Sequence, residues 1–214
     1  MALDCPFIIR GCIARFTELD SEGAIVNGAA VATVGDLVTA TWTPEIAAGE
    51  LRERRNACGE ICASAQEDDQ IRFYNFEMEL CNAVPELYEL LVGAALLGSG
   101  TGWQAPATNT PLSVQVSIEV WAEAVDDQNQ PDPTLPYWHW LFPRVRLVLG
   151  PRAFSPDFMQ HTFTGRAFEN ANFNGTNLPA PAWSLADNRA FQVNQEATAP
   201  TPSATCEVTT VTIT

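Results

Sequence analysis

Two histidines, six cysteines and several closely spaced acids are the residues of this 214-residue chain whose types suggest chemistry. His139 sits in the run Tyr137-Trp138-His139-Trp140, and His161 alternates with Phe163. Both settings are apolar, so both read as packed or interface histidines rather than as general bases. Glu77 with Glu79, and Glu119 with Glu123, place carboxylates on one side of a strand, the raw material of glycoside hydrolysis. With 26 acidic residues in the chain such pairs arise without selection for chemistry. Cys58-x3-Cys62 invites a zinc site, but a structural zinc needs a second pair of ligands, and the two histidines are far apart in the sequence. On one extended strand these cysteines would stand about 13 Å apart, beyond the ~7 Å that a disulfide spans, unless Gly59 turns the chain. The cysteines are expected mostly reduced and buried. Asn174-Gly175-Thr176 matches the glycosylation sequon but carries little weight without a secretory signal. Nucleophile elbow, phosphate-binding glycine loop and HExxH motifs are all absent from the sequence. No catalytic residue, metal or cofactor is expected.

The elements that position these residues are mostly strands. The organising stretch is Gln70 to Leu97. Tyr74, Phe76, Met78 and Leu80 alternate with Asn75, Glu77 and Glu79, the pattern of a half-buried strand. The period then changes: Leu87, Leu90, Leu91, Ala94 and Ala95 recur at helical spacing. Pro85 suits a first turn, Glu86 favours the helix N-terminus and Gly98 is placed to end it, which predicts a helix over about 85–97. Further strands are expected at 7–19, 34–43, 58–64, 112–124, 137–149 and 158–168, and the alternation at 205–214 suits an edge. Thr43-Pro44-Glu45-Ile46 is expected to stop the second strand. Residues 44–57 then form a polar loop holding Glu50, Arg52, Glu53, Arg54 and Arg55. In 112–124, Val114, Val116, Ile118, Val120 and Ala122 form the inner face, and Gln115, Ser117, Glu119 and Glu123 the outer, with Trp121 among them. In 137–149, Leu141, Val145, Leu147 and Leu149 point inward and Arg144 and Arg146 outward. Rows of Thr, Ser, Gln and Glu on outward faces suit a sheet that faces a pore or a neighbour, as well as a plainly solvated one.

Composition sets the limits. The formal net charge is −15, all eleven basic residues are arginine, and hydrophobic residues make up 46% of the chain. That supports a real core and argues against a sequence-reading nucleic-acid binder or an anionic membrane surface as partner. No stretch reaches the ~20 apolar residues of a membrane helix, and the first residues make a poor signal peptide, so a cytoplasmic product is expected.

The order of elements from Asp36 to Leu97 carries a resemblance: a strand ending in WTPEI, a polar loop, N-A-C-G-E-I-C, a strand ending in MELC, then PELYELL with a small-residue tail. This resembles the major tail tube proteins of long-tailed bacteriophages, in the branch found on phages of high-GC actinobacteria, over about the first 150 residues. The resemblance implies a mainly β fold, a β-sandwich or distorted barrel with one flanking helix. Residues 1–168 would be the tail-tube domain, and 169–214 an extension or arm completing it. It implies no enzyme activity. Subunits would form hexameric rings stacked into a tube, with the tape measure and tube-end proteins as partners, no membrane contact, and DNA passing through a β-barrel lumen. The location implied is the virion tail, assembled in the host cytoplasm. Carried onto this sequence, Thr39, Thr41, Glu77, Glu79, Gln115, Ser117 and Glu119 would face the lumen. Glu50, Arg52, Glu53, Arg54 and Arg55 would make contacts between rings. Three alternatives remain open: another phage tail or tube-end protein of the same fold, a carbohydrate-binding β-sandwich with Trp103, Trp121, Trp138 and Trp140 as stacking platforms, and an acidic hydrolase built on a carboxylate pair.

Overall fold

A computed structural model describes residues 7–98, 101–109, 111, 113–125, 130–131, 133–151, 161–178, 189–203 and 207–211. The proposed strand residues 112, 158–160, 205–206 and 212–214 lie outside the described residues. The chain is mainly β. In order come β1 (Phe7–Leu19), β2 (Ala30–Val34), β3 (Leu37–Ala47), β4 (Leu51–Arg55), β5 (Ile61–Gln66), β6 (Gln70–Leu80), α1 (Pro85–Val92), β7 (Ala95–Leu97), β8 (Gly102–Gln104), β9 (Gln115–Val125), β10 (Tyr137–Leu149), β11 (His161–Phe168), β12 (Gln192–Glu196) and β13 (Val208–Thr210).

Nine strands form one antiparallel sheet in the order β13-β2-β1-β9-β10-β11-β6-β3, with β12 added alongside β10. The sheet does not close into a barrel. It coils until β3 approaches β1, and the concave side holds the main core. Ala14 and Phe16 of β1, Val116, Ile118 and Val120 of β9, Phe142, Val145 and Leu147 of β10, and Phe76, Met78 and Leu80 of β6 meet there. Helix α1 adds Leu87, Tyr88, Leu90, Leu91 and Val92 to the same cluster. Burying each of the larger side chains contributes about 1.5–3 kcal/mol.

The helix starts as its sequence dictates, with Pro85 in the first turn and Glu86 beside the N-terminal dipole. It ends earlier than 97. Gly93 adopts φ 68°, its N–H donates to Glu89 O in the manner of an αL stop, and the N–H of Ala94 donates to Tyr88 O. Residues 95–97 instead pair with Gly102–Gln104 as a small hairpin. Gly93, not Gly98, is the terminator, because the left-handed turn and its two hydrogen bonds are both available there.

Strand β3 also departs from the expectation. It begins at Leu37 and runs through Pro44 to Ala47, with a register shift between Glu45 and Ile46. Proline lacks a ladder donor, and β3 tolerates it because it is the last strand of the sheet. The stretch read as a polar loop becomes a hairpin of its own, β4 paired with β5 as a separate two-stranded sheet.

In β10 a register shift between Phe142 and Val145, across Pro143, changes which face the side chains serve. Leu141 therefore joins a second apolar cluster, while Val145 and Leu147 belong to the main core. That second cluster, Leu19, Ile25, Ala29, Val31, Leu141, Leu178 and Val211 with Phe173 against it, lies over the opposite face of β1, β9 and β10. It is tied down by asparagines from the 170–177 segment. Asn170 Nδ2 donates to Gly23 O at 2.7 Å and to Pro143 O at 3.2 Å, and Asn177 Nδ2 donates to Ile25 O at 3.2 Å. Gly23, at φ 91°, has no room for a Cβ, which would meet Asn170 Oδ1 at 2.6 Å.

Candidate assembly surfaces

The residues most suggestive of chemistry are sealed inside. Arg15 of β1 faces Glu119 of β9 in register. Its Nε donates to Glu119 Oε2 at 2.6 Å and its Nη2 to Oε1 at 2.7 Å, a bidentate pair. His139 of β10 brings Nε2 to 3.1 Å from Glu119 Oε1. Its ring stacks on Trp121 at 4.0 Å between centroids, and the Arg15 guanidinium lies over the indole at 5.1 Å. Glu119 and His139 are 0% exposed and Arg15 2%. The carboxylate is enclosed, and the three side chains form a polar interior shared by β1, β9 and β10.

Gln115 and Ser117, on the same face of β9, are likewise buried, with Thr17 opposite Ser117. The three β9 residues expected on a lumen wall are therefore interior residues. Period-two alternation made them outward relative to the main core, but the 20–31 and 169–178 segments cover that outward face. The signal that could have found this was the tryptophan: Trp121 shares the face of Glu119, and a large aromatic on the outer side of a strand marks a second buried surface.

The other expected lumen residues lie on a different part of the sheet. Thr39, Thr41 and Glu77 are exposed and Glu79 is half-buried. Strand register places them in rows. Glu79 lies between Thr39 and Thr162, Glu77 between Thr41 and Thr164, and Asn75 between Thr43 and Arg166, with Arg146 beyond Arg166. The face is thus not uniformly acidic. It carries glutamates at one end of the strands, threonines between, and Arg166, Arg146 and Arg144 at the other. An open depression of about 840 Å³ runs across it, lined by Thr41, Glu77, Arg146, Thr164 and Arg166.

The β4–β5 hairpin is the second surface. Every residue from Glu50 to Arg72 is exposed. Arg52 Nη2 lies 2.9 Å from Glu50 Oε2 and 3.2 Å from Glu67 Oε1, and Arg55 Nη2 lies 3.0 Å from Glu53 Oε2. Among the described residues Arg54 has no ion-pair partner. At the tip, Asn56 Oδ1 accepts from the N–H groups of Cys58 and Glu60, which closes the turn at Gly59. At the root, Gly49 approaches so closely that a Cβ would stand 1.7 Å from Glu67 O. The hairpin and its root leave large apolar side chains in water: Ile46, Leu51, Ile61 and Ile71 are 51–57% exposed. An isolated two-stranded hairpin is marginally stable by itself. This one gains little from its exposed ion pairs.

Cys58 and Cys62 lie on this hairpin as exposed free thiols, and Cys81 is exposed too, which corrects the expectation that most thiols are buried. No group of metal-ligating side chains occurs among the described residues. His161 is held by a hydrogen bond between its Nδ1 and the Tyr88 hydroxyl. The four tryptophans considered as sugar platforms are engaged in packing. Trp121 is enclosed, Trp103 stacks on Tyr88 at 4.3 Å, and Trp138 and Trp140 lie half-buried 6.3 Å apart. No helix is long and apolar enough to cross a membrane among the described residues.

No protein-family model matches the chain, and no curated protein matches it either.

Proposed function

We propose that this chain is a structural subunit that assembles with copies of itself into a tube of the kind found in long-tailed phages, without enzymatic activity. The observation that carries the reading is the β4–β5 hairpin. It continues the β3–β6 ladder out beyond the main sheet as a two-stranded ribbon and exposes Leu51 and Ile61. A second copy covering it would remove that apolar surface from water. The edge strand β3 points the same way, since an unpaired edge invites pairing with another chain. In this reading subunits close into hexameric rings and the rings stack by way of the hairpin, with Glu50, Arg52, Glu53, Arg54 and Arg55 at the contact. The exposed face of β3, β6, β11 and β10 lines the lumen, with Thr39, Thr41, Glu77 and Glu79 on it. DNA then passes rows of threonine and glutamate, with Arg144, Arg146 and Arg166 confined to one end of that face. The tape measure and tube-end proteins would be its partners, and the virion tail its location.

Negative-stain electron microscopy of concentrated purified protein tests this directly. Hollow filaments or stacked rings are expected, and Arg52→Glu, Arg54→Glu and Arg55→Glu together should abolish stacking. Protein that remains monomeric at every concentration and salt level, even with pre-formed tail tips supplied as seeds, would refute the reading.

A further inference from the structure

Five of the eleven arginines, Arg72, Arg144, Arg146, Arg166 and Arg189, lie at one end of the sheet, and none makes an ion pair with the described residues. In a chain with 26 acidic side chains this is a marked imbalance. Arg72, Arg144 and Arg189 line a cleft of about 520 Å³ together with Phe73, Phe168 and Glu169. The walls are built. Phe73 and Phe168 pack at 5.9 Å, Arg166 lies over Phe73 at 4.5 Å and Arg144 over Phe168 at 5.6 Å. Arg144 Nε is buried without a hydrogen-bond partner among the described residues. Burial, with Arg146 close by, lowers the pKa of Arg144, so its charge is held at a cost.

We propose that this cleft binds a phosphate-bearing ligand through Arg72, Arg144 and Arg189, with Arg146 and Arg166 reinforcing the field. The choice of phosphate over carboxylate follows from the cleft itself. Glu169 lines it, yet it makes no ion pair with any of these arginines. Three guanidinium groups lining one cleft suit a tetrahedral group with several charged oxygens, whereas one carboxylate engages one fork. Phe73 and Phe168 would carry the less polar part of the ligand. The cleft adjoins the face assigned to the lumen, since Arg146 and Arg166 lie on that face, but its test uses unassembled subunits and does not require a tube.

Calorimetric titration of unassembled protein at low salt tests it, with inorganic pyrophosphate, an eight-nucleotide oligothymidylate and citrate as probes. Saturable binding of pyrophosphate is expected, weakened about ten-fold or more by Arg144→Gln or Arg189→Gln, as loss of a charge-assisted hydrogen bond requires. Arg144→Lys should restore only part of the affinity, because the fork is lost. Arg72→Gln changes an exposed side chain and guards against a folding defect in the other variants. Binding of oligothymidylate as well would assign the site to nucleic-acid phosphates, and binding of pyrophosphate alone to a free phosphate compound. Absence of saturable binding by either, binding undiminished in all three Gln variants, or a preference for citrate would overturn the proposal.

Discussion

Strands β9 and β6 carry the same kind of sequence and meet different fates. In each, apolar residues alternate with polar ones that include glutamate. On β6, Asn75 and Glu77 look out into solvent, while on β9, Gln115, Ser117 and Glu119 are buried. The difference lies in neither strand. Among the described residues, the sheet around β1, β9 and β10 is roofed by the segments 20–31 and 169–178, and the sheet around β3, β6 and β11 is not. Glu119 accordingly needs a built partner and has one in Arg15, with His139 beside it. Glu77 has water.

The contrast can be broken most forcefully at the buried pair. Arg15→Met leaves a buried carboxylate without its bidentate donor and should lower unfolding free energy by about 3–5 kcal/mol in urea denaturation, while Arg15→Met with Glu119→Met should recover much of it. Glu77→Gln should stay within about 0.5 kcal/mol. Equal losses at Glu77 and Arg15 would show that the roof over β9 does not seal it.

A second comparison tests the roof itself. Leu141→Ala removes a fully buried side chain from the second cluster and should cost about 2–5 kcal/mol, whereas Thr164→Ala on the open face should change little. A small loss at Leu141 would mean the 169–178 segment packs loosely.

The smallest expected effect on the fold belongs to the hairpin. Leu51→Ser with Ile61→Ser should leave the denaturation midpoint of isolated subunits unchanged. Hydrogen exchange should find the β4–β5 amides far less protected than those of β9. The same double substitution should reduce self-association, and undiminished association would remove the hairpin from the contact.

Much of the fold was legible before the structure. The strands Phe7–Leu19 and Tyr137–Leu149 and the faces of β6 follow from period-two alternation, and the start of α1 from Pro85 and Glu86. Local rules were less reliable where two local signals competed. Pro44 reads as a stop but sits in an edge strand, and Gly98 reads as a cap although Gly93 provides the left-handed turn first. Of the candidate site residues, Thr39, Thr41 and Glu77 reached an exposed sheet face and the Glu50–Arg55 set an exposed hairpin, while Gln115, Ser117 and Glu119 did not reach a surface at all.

What the sequence determined by itself is therefore the local geometry: which residues extend, where the helix begins, and which side chains share a face of one strand. What tertiary structure alone decided is which of those faces meets water. That choice depends on contacts between residues far apart in the chain, as with Arg15 and Glu119 or Gly23 and Asn170. Periodicity records that two faces differ, but it holds no information about a cover supplied by segments distant in the chain.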